Sequence, residues 1–130
     1  MNLKDYFDGA SGLGVLATAD AQGKVNAAVY ARPHVMSDCT IAFIMAERLT
    51  YENLKSNPSA AFLFKADGEG YRGVRLYLTK LREEQDSELM HELRRRACEE
   101  DMQGRFLVYF RVDKALALIG AEELEVALSA

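Results

Sequence analysis

The 130-residue sequence predicts a mainly β fold (β with α): six to seven antiparallel strands closing or partly closing into a barrel, with two or three flanking helices. Three observations carry that expectation. Most apolar segments have strand length, several alternate apolar and polar residues, and short turns join most of them. Short turns make neighbouring strands antiparallel, and this order of elements suits a barrel better than a doubly wound sheet.

The elements follow in order. Residues 3 to 10 read as a short opening helix with Leu3, Tyr6 and Phe7 on one face, broken by "SGLG". "LGVLATADAQGKVNAAVYA" reads as two strands joined by "DAQG", where Asp20 suits the first turn position and Gly23 can take positive φ. "TIAFIM" (40 to 45) is a compact apolar strand. Residues 50 to 56 form a short helix capped by Thr50, with Asn53 at its third position, and Pro58 forbids its continuation. "SAAFLFKA" (59 to 66) is a buried strand and "DGEGYRG" a glycine-bearing turn. In "VRLYLTKL" (74 to 81), Val74, Leu76 and Leu78 face one way, and Arg75, Tyr77 and Thr79 the other.

"REEQDSELMHELRRRACEEDMQG" is predicted as the second full helix. Leu89, Met90, Leu93 and Ala97 form its apolar stripe, Asp86 or Ser87 caps its start, and Gly104 follows its end. Arg94, Arg95 and Arg96 are surrounded by acidic residues and read as a salt-bridged solvated face. "RFLVYFRV" (105 to 112) and "ALALIGA" (115 to 121) are two last strands with Asp113-Lys114 as their turn. The tail has no clear reading. No repeat or linker divides the chain, so residues 1 to 130 form one domain.

Composition narrows the function. Apolar residues make up 49% and charged residues 28%, the balance of a globular domain, and the net charge of −4 argues against a nucleic-acid binder. "MNLKDYFDGAS" has no apolar stretch of signal-peptide length and nothing later could span a membrane, so the expectation is a cytoplasmic protein without a membrane partner. Cys39 and Cys98 have no metal-ligand spacing and read as reduced packing residues. "GASGLG" lacks the strand-to-helix context of a dinucleotide site, and no P-loop, nucleophile elbow or H-E-x-x-H occurs. His91 lies in the charged helix, which leaves His34 as the one plausible histidine base. Difficult chemistry would then fall to a bound cofactor.

Two stretches offer a place for one. In "AERLTYENLKSNP", the free N–H groups at a helix start, with Arg48 beside them, can be capped by Thr50 or can hold a phosphate. In "VNAAVYAR" (25 to 32), Val25, Ala27 and Val29 point one way and Asn26, Ala28 and Tyr30 the other. The small side chains either pack closely or leave room for a flat ring, with strand N–H and C=O groups at its edge.

The order of these elements, and "T-x-x-N-L-x-x-N-P" at Thr50, Asn53, Leu54, Asn57 and Pro58 before an apolar strand, resembles the pyridoxamine 5′-phosphate oxidase-like, FMN-binding split-barrel proteins over most of residues 10 to 120. The resemblance implies a split β-barrel homodimer with FMN at the subunit interface. It also implies a flavin-dependent oxidoreductase or electron-transfer protein with a small-molecule redox partner. The phosphate would lie at Arg48, Thr50 and Tyr51. The ring would lie along Asn26, Ala27, Ala28, Val29 and Tyr30, with Met45 and Ala46 closing the site. The oxidase carries a basic pair where this chain has Leu49-Thr50, and an R-x-V-L-L-K strand where it has "AAVYARP". Both differences argue against pyridoxamine phosphate oxidation. They leave Arg48, Arg32, Arg72 or Arg75 to compensate, with Arg75 preferred for its place on a wet strand face. Two alternatives stand beside FMN. One is a barrel holding deazaflavin, or haem with His34 as ligand; the other is a ligand-binding module without catalysis.

Overall fold

In the computed structural model, residues 1–36, 39–85, 88–97 and 104–126 are described, with side chains of 94–97 excepted. Among these residues, eight antiparallel strands and three helices follow the order α1 (Leu3–Asp8), β1 (Gly12–Ala19), β2 (Val25–Tyr30), β3 (His34–Val35), β4 (Thr40–Ala46), α2 (Leu49–Ser56), β5 (Ser59–Ala66), β6 (Gly73–Gln85), α3 (Glu88–Ala97), β7 (Arg105–Ala117) and β8 (Glu123–Leu124). The expected mainly β fold is present. The two-residue strands β3 and β8 account for the higher strand count.

The strands lie in the order β2-β1-β5-β6-β7-β4-β3, with β8 beside β7. The sheet curls but does not close. Its ends, β2 and β3, are joined by residues 31 to 33 alone and do not pair. β3 covers only Ile41 and Ala42 of β4, so beyond Ala42 that side of β4 is an open edge. A seam therefore runs between β2 and the second half of β4.

Alternation decides which side chains fill the interior. Leu16 on β1, Phe62 and Phe64 on β5, Val74, Leu76 and Leu78 on β6, and Val108 and Phe110 on β7 are all buried. Phe43 links them, with ring centroids 5.0 Å from Phe62 and 5.9 Å from Phe110. α1 closes one end, where Leu3 and Phe7 are buried and Phe7 meets Phe64 at 5.4 Å. Met90 and Leu93 of α3 cover a second cluster on the outer face with Ala42, Ile44, Leu107 and Tyr109.

The hairpin over "DAQG" forms as expected. Asp20 Oδ1 accepts from the backbone N–H groups of Gln22 and Lys24, and Gly23 takes φ +84°. Three expectations are corrected. Residues 105 to 117 form one strand rather than two: Asp113 sits at a bulge where the β6–β7 register shifts, and its carboxylate accepts from Thr79 Oγ1 (2.5 Å) and Arg111 Nε (2.7 Å). A polar pair read as a turn is thus a bulge, held by side chains that only the paired strands bring together. Residues 82 to 85, expected in a helix, extend β6 against Tyr109 to Phe106, so tertiary pairing overrides local propensity there. Thr50 is not the cap of α2: Arg48 is, with extended φ and ψ and no side-chain capping bond, which makes Asn53 the fifth helical residue. The caps at Asp86 or Ser87, the Arg94–Arg96 face and Cys98 fall outside what is described.

Gly14 is required by close approach. A Cβ there would stand 2.5 Å from the Tyr30 carbonyl oxygen and 2.6 Å from the Phe62 ring. We expect Gly14→Ala to cost about 1–3 kcal/mol in urea unfolding, because strand β2 or the Phe62 ring must shift. Unchanged stability would show that this contact has slack.

Candidate functional site

The seam widens into a cleft of about 360 Å³. Its floor on the β2 side is the inward row Asn26, Ala28 and Tyr30. Phe43 to Ala46 of β4 form the opposite wall, and Arg48, Leu49 and Thr50 close one end at the start of α2. The Tyr30 and Phe43 rings meet edge to face at 5.7 Å across the seam. Among the described residues both walls present strand edges without a neighbour, so backbone N–H and C=O groups face the opening.

The position of α2 follows from the "T-x-x-N" residues. Thr50 and Asn53 are buried. Asn26 Nδ2 donates to Thr50 Oγ1 at 3.3 Å, and Asn53 Nδ2 donates to Thr18 Oγ1 at 3.1 Å. Each bond satisfies buried polar atoms and ties the helix to a different strand, β2 and β1. On its other flank, the buried Tyr51 stacks on Phe106 with centroids 4.2 Å apart and donates its hydroxyl to Glu83. Lys80 Nζ reaches the same carboxylate at 2.7 Å.

Of the predicted site residues, Asn26, Ala28, Val29, Tyr30, Met45, Ala46, Arg48 and Thr50 come together around the cleft. Ala27 is on the outward face, and Tyr51 faces the Phe106 and Glu83 side of α2. Arg75 lies elsewhere: its guanidinium donates to the Ala117 carbonyl at 2.9 Å and to that of Gly120, which fastens the end of β7. Arg32 borders the cleft, but it donates to the carbonyls of Phe7 (2.8 Å) and Ala10 (2.7 Å) and so caps α1. His34 lines the cleft from β3.

Sequence reasoning missed Arg105. It opposes Ala46 in the β4–β7 register and reaches the end of the cleft where α2 begins. No local pattern signals it, because only pairing between distant segments puts it there.

The electrostatics are one-sided. The chain has more acidic than basic residues, 20 against 16. Yet among the described residues no aspartate or glutamate lines the cleft, while three arginines do. Glu47, beside Arg48 in sequence, instead faces Lys55 at 3.9 Å. Burial pushes the Tyr30 phenol up; the Thr50 hydroxyl and the charges of Arg105 and Arg48 pull it the other way without prevailing. Tyr30 is therefore a neutral donor at physiological pH. The cleft joins a small, partly apolar floor to a cationic end, an arrangement suited to a flat ring bearing an anionic group.

Comparison with known proteins bears on the fold. No family model and no curated protein matches the chain. Among solved structures, an FMN-binding protein from Syntrophomonas wolfei superposes with a TM-score of 0.78 at 20% identity, over 92% of this chain and 86% of that one. HupZ from Group A Streptococcus gives 0.75 at 18%, over 95% and 96%. HutZ, the heme storage protein of Vibrio cholerae, gives 0.68 at 18%, over 90% and 95%. The chain thus shares the fold of these structures, and of a solved putative pyridoxamine 5′-phosphate oxidase from Lactobacillus delbrueckii with a TM-score of 0.66 at 20% identity, over 82% of this chain and 85% of that one.

Burial raises the Glu83 carboxyl, but hydrogen bonds from Lys80 and Tyr51, with the Lys80 and Lys55 charges, outweigh it and hold the group below its usual range. A lowered carboxyl stabilises the fold above its unfolded value, and that contribution drains away as pH falls through the folded one. We expect wild-type stability to fall below about pH 4.5 more steeply than that of Glu83→Gln, measured by urea unfolding across pH. Equal slopes would show that Glu83 does not anchor α2 through its charge.

Proposed function

We propose that the cleft binds FMN without a covalent bond and that the protein is a flavin-dependent oxidoreductase or electron-transfer protein acting on a small molecule. One observation carries this reading: a strand floor with Ala28 between Asn26 and Tyr30 ends at a helix start flanked by two arginines, in a cleft with no acidic lining among the described residues. FMN needs such a site, since its ring is flat and its phosphate is doubly charged near neutral pH. The size of the cleft lies within the usual range for small-molecule sites. The fold shared with the Syntrophomonas wolfei FMN-binding protein supports the same choice.

Each residue then has a task. Ala28 leaves room for the ring, and the open edges of β2 and β4 offer N–H and C=O groups to its polar rim. Arg48, the Thr50 hydroxyl and the first N–H groups of α2 hold the phosphate. Bound FMN supplies hydride or single-electron transfer. Tyr30 and Asn26 remain neutral donors beside it. A second reading, haem, rests on His34 in the cleft wall and on the fold shared with the Vibrio cholerae protein.

The assembly belongs to the same proposal. The outward face of β2, β1 and β5 is apolar, with Val25 84%, Val29 71% and Leu13 51% exposed. Val29, Val15 and Leu63 lie in one cross-strand row, and Ala27, Ala17 and Ala61 in the next. Val29 also borders the cleft. A homodimer that covers this face would bring its partner to the edge of the flavin site.

Two measurements test these readings. Adding FMN to the purified protein should shift the flavin spectrum, quench its fluorescence and raise the melting temperature. A protein that gains neither flavin absorbance nor thermal stability overturns the FMN reading. A Soret band with added haem, lost in His34→Ala, would favour haem instead. Light scattering on the size-separated protein should give a dimer mass that Val29→Asp converts to monomer. A monomeric wild type would contradict the interface.

A further inference from the structure

The cationic end of the cleft contains one group that neither motif nor fold assigns. Arg105 is the first residue of β7, directly after Gly104, which takes φ +71°. Its neighbour Phe106 stacks on Tyr51, so strand alternation turns Arg105 away from that stack and toward the cleft. Across the β4–β7 pairing it faces Ala46, and the Arg48 N–H donates back to the Ala46 carbonyl at 2.8 Å. One short stretch of backbone thus sets both arginines at the same end. Both line the cleft, and both charges act on the Tyr30 phenol within it.

Among the described residues, neither Arg48 nor Arg105 has an ion-pair partner. This contrasts with Arg32 and Arg75, whose guanidinium groups are committed to backbone carbonyls. Both line the same end of the cleft, where their like charges repel one another. An anion between them removes that repulsion, and a phosphate monoester has enough oxygens for both. Leu49 stands beside them, 58% exposed and without charge.

We propose that Arg105 binds the phosphate monoester of the ligand together with Arg48, and supplies from β7 the positive charge that Leu49 does not supply from α2. The assignment rests on reading the cleft as a flavin site. It adds a specificity element: the site discriminates the phosphorylated flavin from the same ring without phosphate.

The test compares FMN with riboflavin, titrated by fluorescence into wild type, Arg105→Gln and Arg105→Lys. Wild type should favour FMN. Arg105→Gln should lose about ten-fold in FMN affinity, the scale of one charge-assisted hydrogen bond, while riboflavin affinity stays unchanged. Its FMN affinity should also depend less on salt, and Arg105→Lys should recover part of the loss. If wild type favours FMN and Arg105→Gln binds it equally well with the same salt dependence, the assignment falls and the flavin reading stands. Equal weakening toward both flavins would mark general damage to the cleft and also overturns the assignment. A wild type that binds neither flavin overturns the flavin reading and the assignment with it.

Discussion

The structure depends on a seam that does not close. β2 and β4 are near in sequence, yet they run along opposite sides of a gap and share no ladder. An antiparallel sheet that curls this far leaves two edges facing each other, each with unpaired backbone groups. Closing the gap by direct pairing would bury the space between them. Keeping it open leaves a slot whose walls already carry hydrogen-bonding groups. The Tyr30–Phe43 contact spans the slot and joins its walls to the aromatic core.

The seam would be a plain groove without α2 across one end. The helix is short, eight residues, and such a segment has little stability alone. Its position comes from tertiary bonds: Thr50 to β2, Asn53 to β1, and the buried Tyr51 against Phe106 and Glu83. Thr50 accepts from Asn26 and Arg48 makes no side-chain capping bond, so among the described residues no side chain caps the start of α2. The residues that fix the helix therefore also leave its start available to a ligand.

Much of this was legible in the sequence, and the limits have a physical pattern. Period-two alternation placed Asn26, Ala28 and Tyr30 on one face of β2 and Val74, Leu76 and Leu78 in the core, because alternation is a local property of a strand. The "DAQG" turn and the stop at Pro58 were legible for the same reason. Asp113-Lys114 misled because a bulge and a turn favour similar residues, and only the partner strand separates them. Residues 82 to 85 misled because helix propensity is weak against a long pairing partner. Arg75 and Arg105 show the remaining gap. Both are arginines at strand positions, but one fastens a loop and the other reaches the cleft. That difference is set by the β6–β7 and β4–β7 registers, which no window of sequence contains.

The central claim is that the seam is a flavin site with its phosphate end at the start of α2. The most direct measurement is a crystal structure of the protein grown with FMN. The account predicts the ring along Ala28 in the seam and the phosphate within hydrogen-bonding distance of Arg48, Arg105 and the first N–H groups of α2. A flavin bound outside the seam, or one turned so that its phosphate points away from α2, would contradict it.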